Sequence, residues 1–188
     1  MWAKRGYVCF ILDTVQQHDN PGFHHGLGQQ AECRWISMGY PGCCGEIWNS
    51  VRGVDLLSSL PEVDADRIGT TGTSGGGSLS FLTGVTDERV AAVASCCGVI
   101  TPYYTIANRH MMNHCDCMFV QNVFQRDTSE FGALLAPRPV LFAYGDDDPL
   151  FSGEEYRTMV ANMRHVYRLY DCEAKCELFE YNGPHGYI

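Results

Sequence analysis

The sequence predicts a single α/β domain over residues 1–188, a mostly parallel sheet with helices on both faces. Short apolar runs recur along the chain, and segments with the 3.6-residue period of an amphipathic helix alternate with them. Strands joined by helices run parallel, because each helix returns the chain to the same end of the sheet. No repeat or low-complexity linker interrupts this alternation, and 188 residues suffice for one core.

Two predicted strands and two predicted helices occupy the first half. The apolar run Tyr7–Leu12 is typical of a strand buried on both faces. A polar segment follows, and then Glu46–Leu60 has apolar residues at helical spacing until Pro61 ends it. The second strand, Asp66–Thr71, leads through a glycine-rich turn into a helix that begins at Gly75.

The second half continues the alternation. Its predicted strands are Arg89–Cys97, Pro139–Tyr144 and Cys176–Tyr181. Between the first two, residues 98–117 are predicted to be irregular and residues 118–135 to be helical. Glu154–Tyr170 carries an apolar stripe along one face and is predicted as the helix before the last strand.

Composition argues against several classes of partner. A net charge of -9 disfavours nucleic acid, because phosphate binding relies on clustered Lys and Arg. No apolar run is long enough to span a bilayer, and residues 1–6 lack the apolar core of a signal peptide. Cys9, Cys96 and Cys97 lie in predicted core strands. We therefore expect mostly free thiols and a cytoplasmic protein.

The turn after the second strand has the pattern G-x-S-x-G, from Gly72 to Gly76. A serine on a sharp strand-to-helix turn needs small neighbours and lies at the positive end of the helix, so Ser74 is a candidate nucleophile. A phosphate-binding loop would need a Gly-Lys-Ser/Thr ending, and a dinucleotide fingerprint would need a glycine where Ser80 stands. An ordinary flexible turn remains the alternative.

A nucleophilic serine needs a base, and the carboxyl ends of parallel strands are where catalytic groups gather. Asp146, Asp147 and Asp148 follow the predicted strand Pro139–Tyr144, and His185 follows the last predicted strand. The spacing does not separate Asp147 from Asp148. A solvated loop, a magnesium site at the aspartates, and a surface role for His185 are the alternatives at this point.

On these residues the chain resembles the α/β-hydrolase superfamily, and within it the acetylxylan-esterase-like and dienelactone-hydrolase-like enzymes related to prolyl oligopeptidases. The matching segments are Asp64-x-Asp66-Arg67-Ile68-Gly69, His114-Cys115-Asp116-Cys117, Leu135-Ala136-Pro137-Arg138-Pro139, Gly145-x-x-Asp148-Pro149 and Gly183-Pro184-His185-Gly186. The resemblance implies that Ser74 is the nucleophile, His185 the general base and Asp148 the acid that orients it. The backbone N–H of Gly75 would form half of the oxyanion hole, and no cofactor is implied.

The chain also departs from the pattern of that family. It lacks a match for the first strands of the full fold and for the loop that carries the second oxyanion donor, and Ile188 stands where the family adds a helix. In the family, one of the strands without a match lies between the equivalents of Tyr7–Leu12 and of the strand Asp66–Thr71 that leads to Ser74 (the elbow strand). We therefore expect either that these two pair directly or that a second copy of the chain fills the position in a homo-oligomer.

Further candidates surround this site. His24 and His25, in the loop after the first strand, are predicted to line the substrate pocket and to offer an N–H, with a solvated loop or a mutually satisfied histidine pair as the alternative. Tyr103 is predicted to contact a sugar ring, together with Trp35, Trp48 or Tyr104, although aromatic residues more often form core. The residues of a possible zinc site are His110, His114, Cys115 and Cys117. Their spacing does not fit paired structural ligands, so we predict no metal.

The sequence therefore predicts a serine esterase acting on a small carboxylic ester, with acetylated carbohydrate as a candidate substrate. A peptidase of the prolyl oligopeptidase kind is the first alternative. A hydrolase-fold remnant used for binding or assembly is the second.

Overall fold

A computed structural model describes residues 2–14, 37–108 and 120–187. Its centre is a four-stranded sheet in which all neighbouring strands run parallel. The strands are Ile68–Thr73 (β1), Val90–Cys96 (β2), Val140–Gly145 (β3) and Cys176–Tyr181 (β4), and their order in the sheet is β1-β2-β3-β4. The predicted parallel α/β sheet is confirmed, and each of these four strands lies within two residues of its predicted bounds.

Five α-helices accompany the sheet within the described ranges. They are Cys43–Ser59 (α1), Gly75–Thr86 (α2), Pro102–Ala107 (α3), Thr128–Ala133 (α4) and Gly153–Leu169 (α5). Helix α2 packs on β1 and β2, α4 packs on α5, and α5 packs on β4. Because the strand order follows the chain and crossovers are right-handed, three of the connecting helices, α2, α4 and α5, form a row along the sheet.

The hydrophobic core lies between the sheet and this row of helices. The rings of Phe81 on α2 and Phe142 on β3 lie 6.0 Å apart, and Tyr144 stacks on Tyr156 of α5 at 4.1 Å. The hydroxyl of Tyr144 donates to the carbonyl of Val99 at 2.6 Å, so this fully buried phenol is satisfied. Among the described residues, no helix combines the length and the apolar character needed to cross a membrane.

Two predictions for residues 98–135 need correction. Helix α3 occupies part of the segment predicted to be irregular, because Thr101 caps it by accepting from the Tyr104 N–H and Pro102 suits its first turn. In the segment predicted to be helical, only α4 forms a helix among the described residues. A capping box between Asp127 and Glu130 sets its start, so the chain before Asp127 cannot continue the same helix.

The prediction of a buried strand at Tyr7–Leu12 is wrong. The segment is not part of the described sheet, and the side chain of Ile11 is 88% exposed. A strand needs a neighbour for its backbone groups, and β1 is an edge strand that pairs with β2 alone among the described residues. Phe10 instead lies against Gly53 of α1. Direct pairing with the elbow strand is therefore wrong, and a second copy at the edge of β1 stays a prediction.

The thiols of the described part are free, in agreement with the prediction for these residues. Cys96 and Cys97 are buried as expected for core strands. Cys9 is exposed, because the segment that contains it is not a buried strand.

Gly72 permits the tight approach of β1 to α2, and its replacement by alanine should be strongly destabilising. A Cβ at Gly72 would overlap the backbone carbonyl of Gly76, whereas a Cβ at Gly76 would meet nothing within 4 Å. We expect Gly72→Ala to lower the free energy of unfolding by about 3 kcal/mol. Gly76→Ala is the matched control and should be neutral or stabilising, because alanine favours a helix. Urea denaturation of both variants is the measurement, and equal midpoints would contradict the expectation.

Candidate active site

Ser74 lies on a strained turn between β1 and α2. Its backbone has φ 55° and ψ -123°, a conformation that side-chain-bearing residues rarely adopt. The Ser74 N–H donates to the carbonyl of Cys96 at 2.9 Å, and the Ser74 carbonyl accepts from the Ser78 N–H at 3.0 Å. These two hydrogen bonds join the turn to β2 and to the first turn of α2. The surrounding structure thereby holds the serine in a strained geometry, as the elbow motif predicts.

Gly75 begins helix α2 directly after the serine. The first N–H groups of a helix have no partner within the helix, and they point toward its positive end. Gly75 also lines a pocket together with Ser74. Its N–H is therefore placed to donate to an oxygen that develops negative charge beside the serine.

Asp148 and His185 come together at the carboxyl ends of β3 and β4. The Nδ1 atom of His185 lies 2.6 Å from Oδ2 of Asp148, whose side chain is fully buried. The other carboxylate oxygen accepts from the Leu150 N–H at 2.9 Å. The His185 side chain is 27% exposed, so one side of the ring reaches solvent. A buried carboxylate held on two sides can orient an imidazole.

The three consecutive aspartates have different surroundings. Asp146 and Asp147 are exposed, whereas Asp148 is buried. The carboxylate of Asp146 accepts from the backbone N–H of Gly183 at 2.9 Å, and the Asp147 N–H donates to the Gly183 carbonyl at 3.1 Å. These contacts tie the loop after β3 to the loop that carries His185. The structure thus separates Asp148 from Asp147, which sequence spacing alone left open.

Phe151 lies between the Asp148–His185 pair and the pocket beside Ser74. Its ring stacks on His185, with centroids 5.8 Å apart and planes 11° from parallel. Phe151 and Ser74 line the same pocket. Ser74, His185 and Asp148 therefore all lie at the end of the sheet where the strands have their carboxyl ends. Sequence reasoning missed Phe151, since no motif marks an aromatic residue three positions after the acid.

The pocket beside Ser74 is mostly apolar and has a volume of about 110 Å³. Phe81 and Leu82 come from α2, Ile100 from the loop after β2, and Phe131 from α4. Ser74 and Gly75 line the same pocket. An engineered apolar cavity of about 150 Å³ holds one benzene molecule, so this pocket has room for roughly four carbon atoms.

Sequence reasoning also missed a feature of Cys97, which it placed in the core without a role. It follows β2 with φ 43° and has no exposed surface. Its Sγ lies 3.4 Å from the hydroxyl of Tyr181. Burial raises the pKa of the Cys97 thiol, and the hydrogen bond from Tyr181 opposes that rise. The thiol is thus held neutral close to the Asp148–His185 pair.

The remaining sequence candidates occupy other positions. Tyr103 lies on α3 with 75% of its side chain exposed, while its neighbours Pro102 and Thr105 line the pocket. Trp48 lies on α1, and the guanidinium carbon of Arg52 lies 4.5 Å from the centroid of the Trp48 ring. Three sets of candidates lie outside the described residues: His24 and His25, Trp35, and the possible zinc ligands between residues 110 and 117. Contact of Tyr103 or the two histidines with substrate therefore stays a prediction.

The sequence profile of the dienelactone hydrolase family matches residues 1–187. The chain belongs to the dienelactone hydrolase family. Among curated relatives it is 29% identical to the predicted hydrolase YtaP of Bacillus subtilis (strain 168) over 122 residues, 64% of this chain and 41% of that protein. It is 33% identical to dipeptidyl-peptidase 5 of Porphyromonas gingivalis over 100 residues, 53% of this chain and 13% of that protein.

Solved structures of esterases share the fold of this family member. A glucuronoyl esterase from Solibacter usitatus superimposes with a TM-score of 0.61 at 20% identity, covering 74% of this chain and 43% of that one. A carbohydrate esterase family 15 glucuronoyl esterase from Caldicellulosiruptor kristjansonii gives 0.62 at 23%, covering 74% and 44%. The chain thus spans less than half the length of these relatives. The resemblance to the α/β-hydrolase superfamily and its dienelactone-hydrolase-like members is confirmed.

Proposed function

We propose that the protein is a serine esterase that hydrolyses carboxylic esters through an acyl-enzyme on Ser74. The observation that carries the proposal is the 2.6 Å contact between His185 and buried Asp148, at the same edge of the sheet as the strained turn of Ser74. The serine, the acid and the histidine follow one another along the chain as Ser74, Asp148 and His185, which is the order found in α/β-hydrolases.

The mechanism proposed for this geometry has two steps. His185 accepts the proton of the Ser74 hydroxyl while the serine oxygen attacks the ester carbonyl, and the N–H of Gly75 donates to the resulting oxyanion. His185 then returns the proton to the leaving alcohol. In the second step, His185 takes a proton from a water molecule, which attacks the acyl-enzyme and releases the carboxylic acid and the free Ser74 hydroxyl. Asp148 stays ionised and keeps Nδ1 of His185 protonated, so that Nε2 serves as the base.

The pocket beside Ser74 supports a small, apolar acyl group. Acetylated carbohydrate remains a candidate substrate, with the alcohol side on the exposed face of the site. Two structures with the same fold are named glucuronoyl esterases and a third, with a TM-score of 0.57 at 22% identity over 76% of this chain and 31% of its own, is named a methylesterase. These names favour an ester over an amide.

A series of p-nitrophenyl esters from acetate to octanoate tests the proposal. We expect kcat/KM to rise up to butyrate and to fall at octanoate, because each buried methylene adds about 0.8 kcal/mol until the pocket is full. A fluorophosphonate probe should label the protein at Ser74 in the same preparation. Folded protein that neither hydrolyses an ester nor takes up the probe would defeat the proposal and favour a non-catalytic remnant.

Phe131→Ala should shift the acyl preference toward longer chains. Phe131 lines the pocket from α4, so its truncation to alanine adds space to the pocket. We expect the ratio of kcat/KM for hexanoate over acetate to rise about tenfold, the effect of roughly two buried methylenes. Leu134→Ala is the matched control, because Leu134 is exposed and does not line the pocket. An unchanged ratio in Phe131→Ala would show that the acyl group binds elsewhere.

A peptidase is the second candidate, and the similarity to dipeptidyl-peptidase 5 is the observation that favours it. Dipeptide p-nitroanilides separate it from an esterase, because both reactions release a chromophore but only one breaks an amide. A kcat/KM for an amide that equals or exceeds that for the acetate ester would establish the peptidase. The mechanism at Ser74 would then be the same with an amine as the leaving group.

A further inference from the structure

Three potential metal ligands meet at the ends of three neighbouring strands. Cys97 follows β2, Asp148 follows β3 and His185 follows β4. One ligand atom from each lies within 4.8 Å of the other two. Cys97 and the Asp148 carboxylate are fully buried, and His185 is partly exposed. The proposed hydrolytic mechanism uses Asp148 and His185 and gives no role to Cys97.

The backbone holds the Cys97 thiol in this position. The Cys97 N–H donates to the carbonyl of Ala143 on β3 at 2.8 Å, which fixes the residue next to the loop that carries Asp148. Tyr181 of β4 contacts the same sulfur at 3.4 Å. The sulfur is therefore set between two strands whose following loops supply the other two groups.

The three donors form a set that suits one class of cation. Thiolate and imidazole favour Zn²⁺ or Co²⁺, whereas Mg²⁺ and Ca²⁺ prefer oxygen ligands. Zinc binds these groups at about 2.0 to 2.3 Å, which places neighbouring ligand atoms roughly 3.5 Å apart. To reach that spacing, the His185 Nδ1–Asp148 Oδ2 pair, at 2.6 Å, would have to open by about 1 Å, and any pair as far apart as 4.8 Å would have to close by about 1 Å. Three protein ligands leave a fourth position for water.

We propose that Cys97, Asp148 and His185 bind a zinc ion that switches the active site off. On binding, the Cys97 thiol releases its proton to solvent as the zinc–sulfur bond forms. The metal also takes a carboxylate oxygen of Asp148 and a ring nitrogen of His185. The imidazole is then no longer oriented by Asp148 as a base for Ser74. The inhibition rests on the proposed serine mechanism, whereas the binding of the metal does not.

Titration of the full chain with Co²⁺ tests the binding by itself. A thiolate ligand gives Co²⁺ an intense near-ultraviolet charge-transfer band, and we expect this band to saturate at one metal per chain. Cys97→Ser should abolish the band. Cys172→Ser, which removes a half-buried thiol in the loop before β4, should retain it. A band that persists in Cys97→Ser would place the metal elsewhere and overturn the proposal, as would the absence of any band in the wild type.

His185→Ala keeps the test decisive if Cys97→Ser fails to fold. His185 lies in a partly exposed loop, so its truncation should preserve the sheet while lowering the affinity for Co²⁺ at least tenfold. Circular dichroism establishes the fold of each variant. Unchanged affinity in folded His185→Ala would exclude the histidine as a ligand and overturn the site.

Fluorophosphonate labelling in the presence of Zn²⁺ tests the inhibition. At a free zinc concentration ten times the dissociation constant, we expect the labelling rate of Ser74 to fall about tenfold and to recover on adding EDTA. Cys97→Ala should label at the same rate with and without zinc. Equal zinc sensitivity in this variant would overturn the inhibitory site. No labelling of metal-free wild type would instead refute the esterase while leaving the cobalt result to decide the binding.

Discussion

Replacement of Ser74 by alanine is expected to abolish fluorophosphonate labelling and to reduce ester hydrolysis by a factor on the order of 10⁶. The hydroxyl is the only atom of this residue that the mechanism uses. Alanine tolerates the positive φ of the turn about as well as serine does, so the fold should persist. The loss should appear in kcat with KM nearly unchanged, because the pocket and Gly75 still bind the ester. Mass spectrometry of the labelled protein and initial rates with p-nitrophenyl butyrate measure the two effects.

Ser78→Ala provides a matched control for that experiment. Ser78 lies one turn further along α2, lines the same pocket and donates its hydroxyl to the carbonyl of Gly98. Its loss removes one partly buried hydrogen bond, worth about 1 kcal/mol of stability. Labelling should remain within a few fold of the wild type. If Ser74→Ala still takes up the probe and Ser78→Ala does not, the nucleophile has been assigned to the wrong serine.

Asp148→Asn is expected to lower kcat by about 10⁴-fold with little change in KM. The amide can donate a hydrogen bond to Nδ1 of His185, which selects the tautomer with its proton on Nε2 and leaves no base facing Ser74. The substitution is nearly isosteric, and the Leu150 N–H can still donate to the amide oxygen. Steady-state kinetics on p-nitrophenyl butyrate, with circular dichroism to establish the fold, are the measurements.

Asp147→Asn is the control for the acid. Asp147 is exposed, and only its backbone N–H is used in the contact with Gly183. Its kcat should stay within about twofold of the wild type, because surface substitutions without special contacts have small effects. Equal losses in both variants would mean that the charge of the whole loop matters and that Asp148 has no distinct role.

Local patterns predicted much of the fold. The strands β2, β3 and β4 and the helices α1 and α5 follow from runs and periods of apolar residues, which depend on neighbours within a few positions. The same reasoning failed at Tyr7–Leu12. An apolar run predicts a strand only if another strand is available to pair with it, and β1 pairs with β2 alone among the described residues. It also failed before α4, where the capping box at Asp127 starts a shorter helix than the apolar content suggested.

The candidate site likewise contains some residues that local patterns predicted and others that only the fold brought together. The strained turn at Ser74 was predictable because it is a local structure of strand, glycine-rich turn and helix. His185 and the aspartate loop were predictable as strand-end residues. Phe151 and Cys97 were not, because stacking on His185 and proximity to Asp148 arise from segments far apart in the sequence.

By itself, the sequence determined the parallel α/β architecture, the elbow around Ser74 and the chain order of serine, acid and histidine. Each of these depends on short-range patterns that survive without knowledge of the fold. The tertiary structure alone decided that Asp148 is the buried aspartate facing His185 and that an apolar pocket opens beside Ser74. It also decided that the Cys97 thiol lies against the Asp148–His185 pair. These features depend on how separate loops pack at one edge of the sheet, and burial distinguishes residues that the sequence leaves chemically identical.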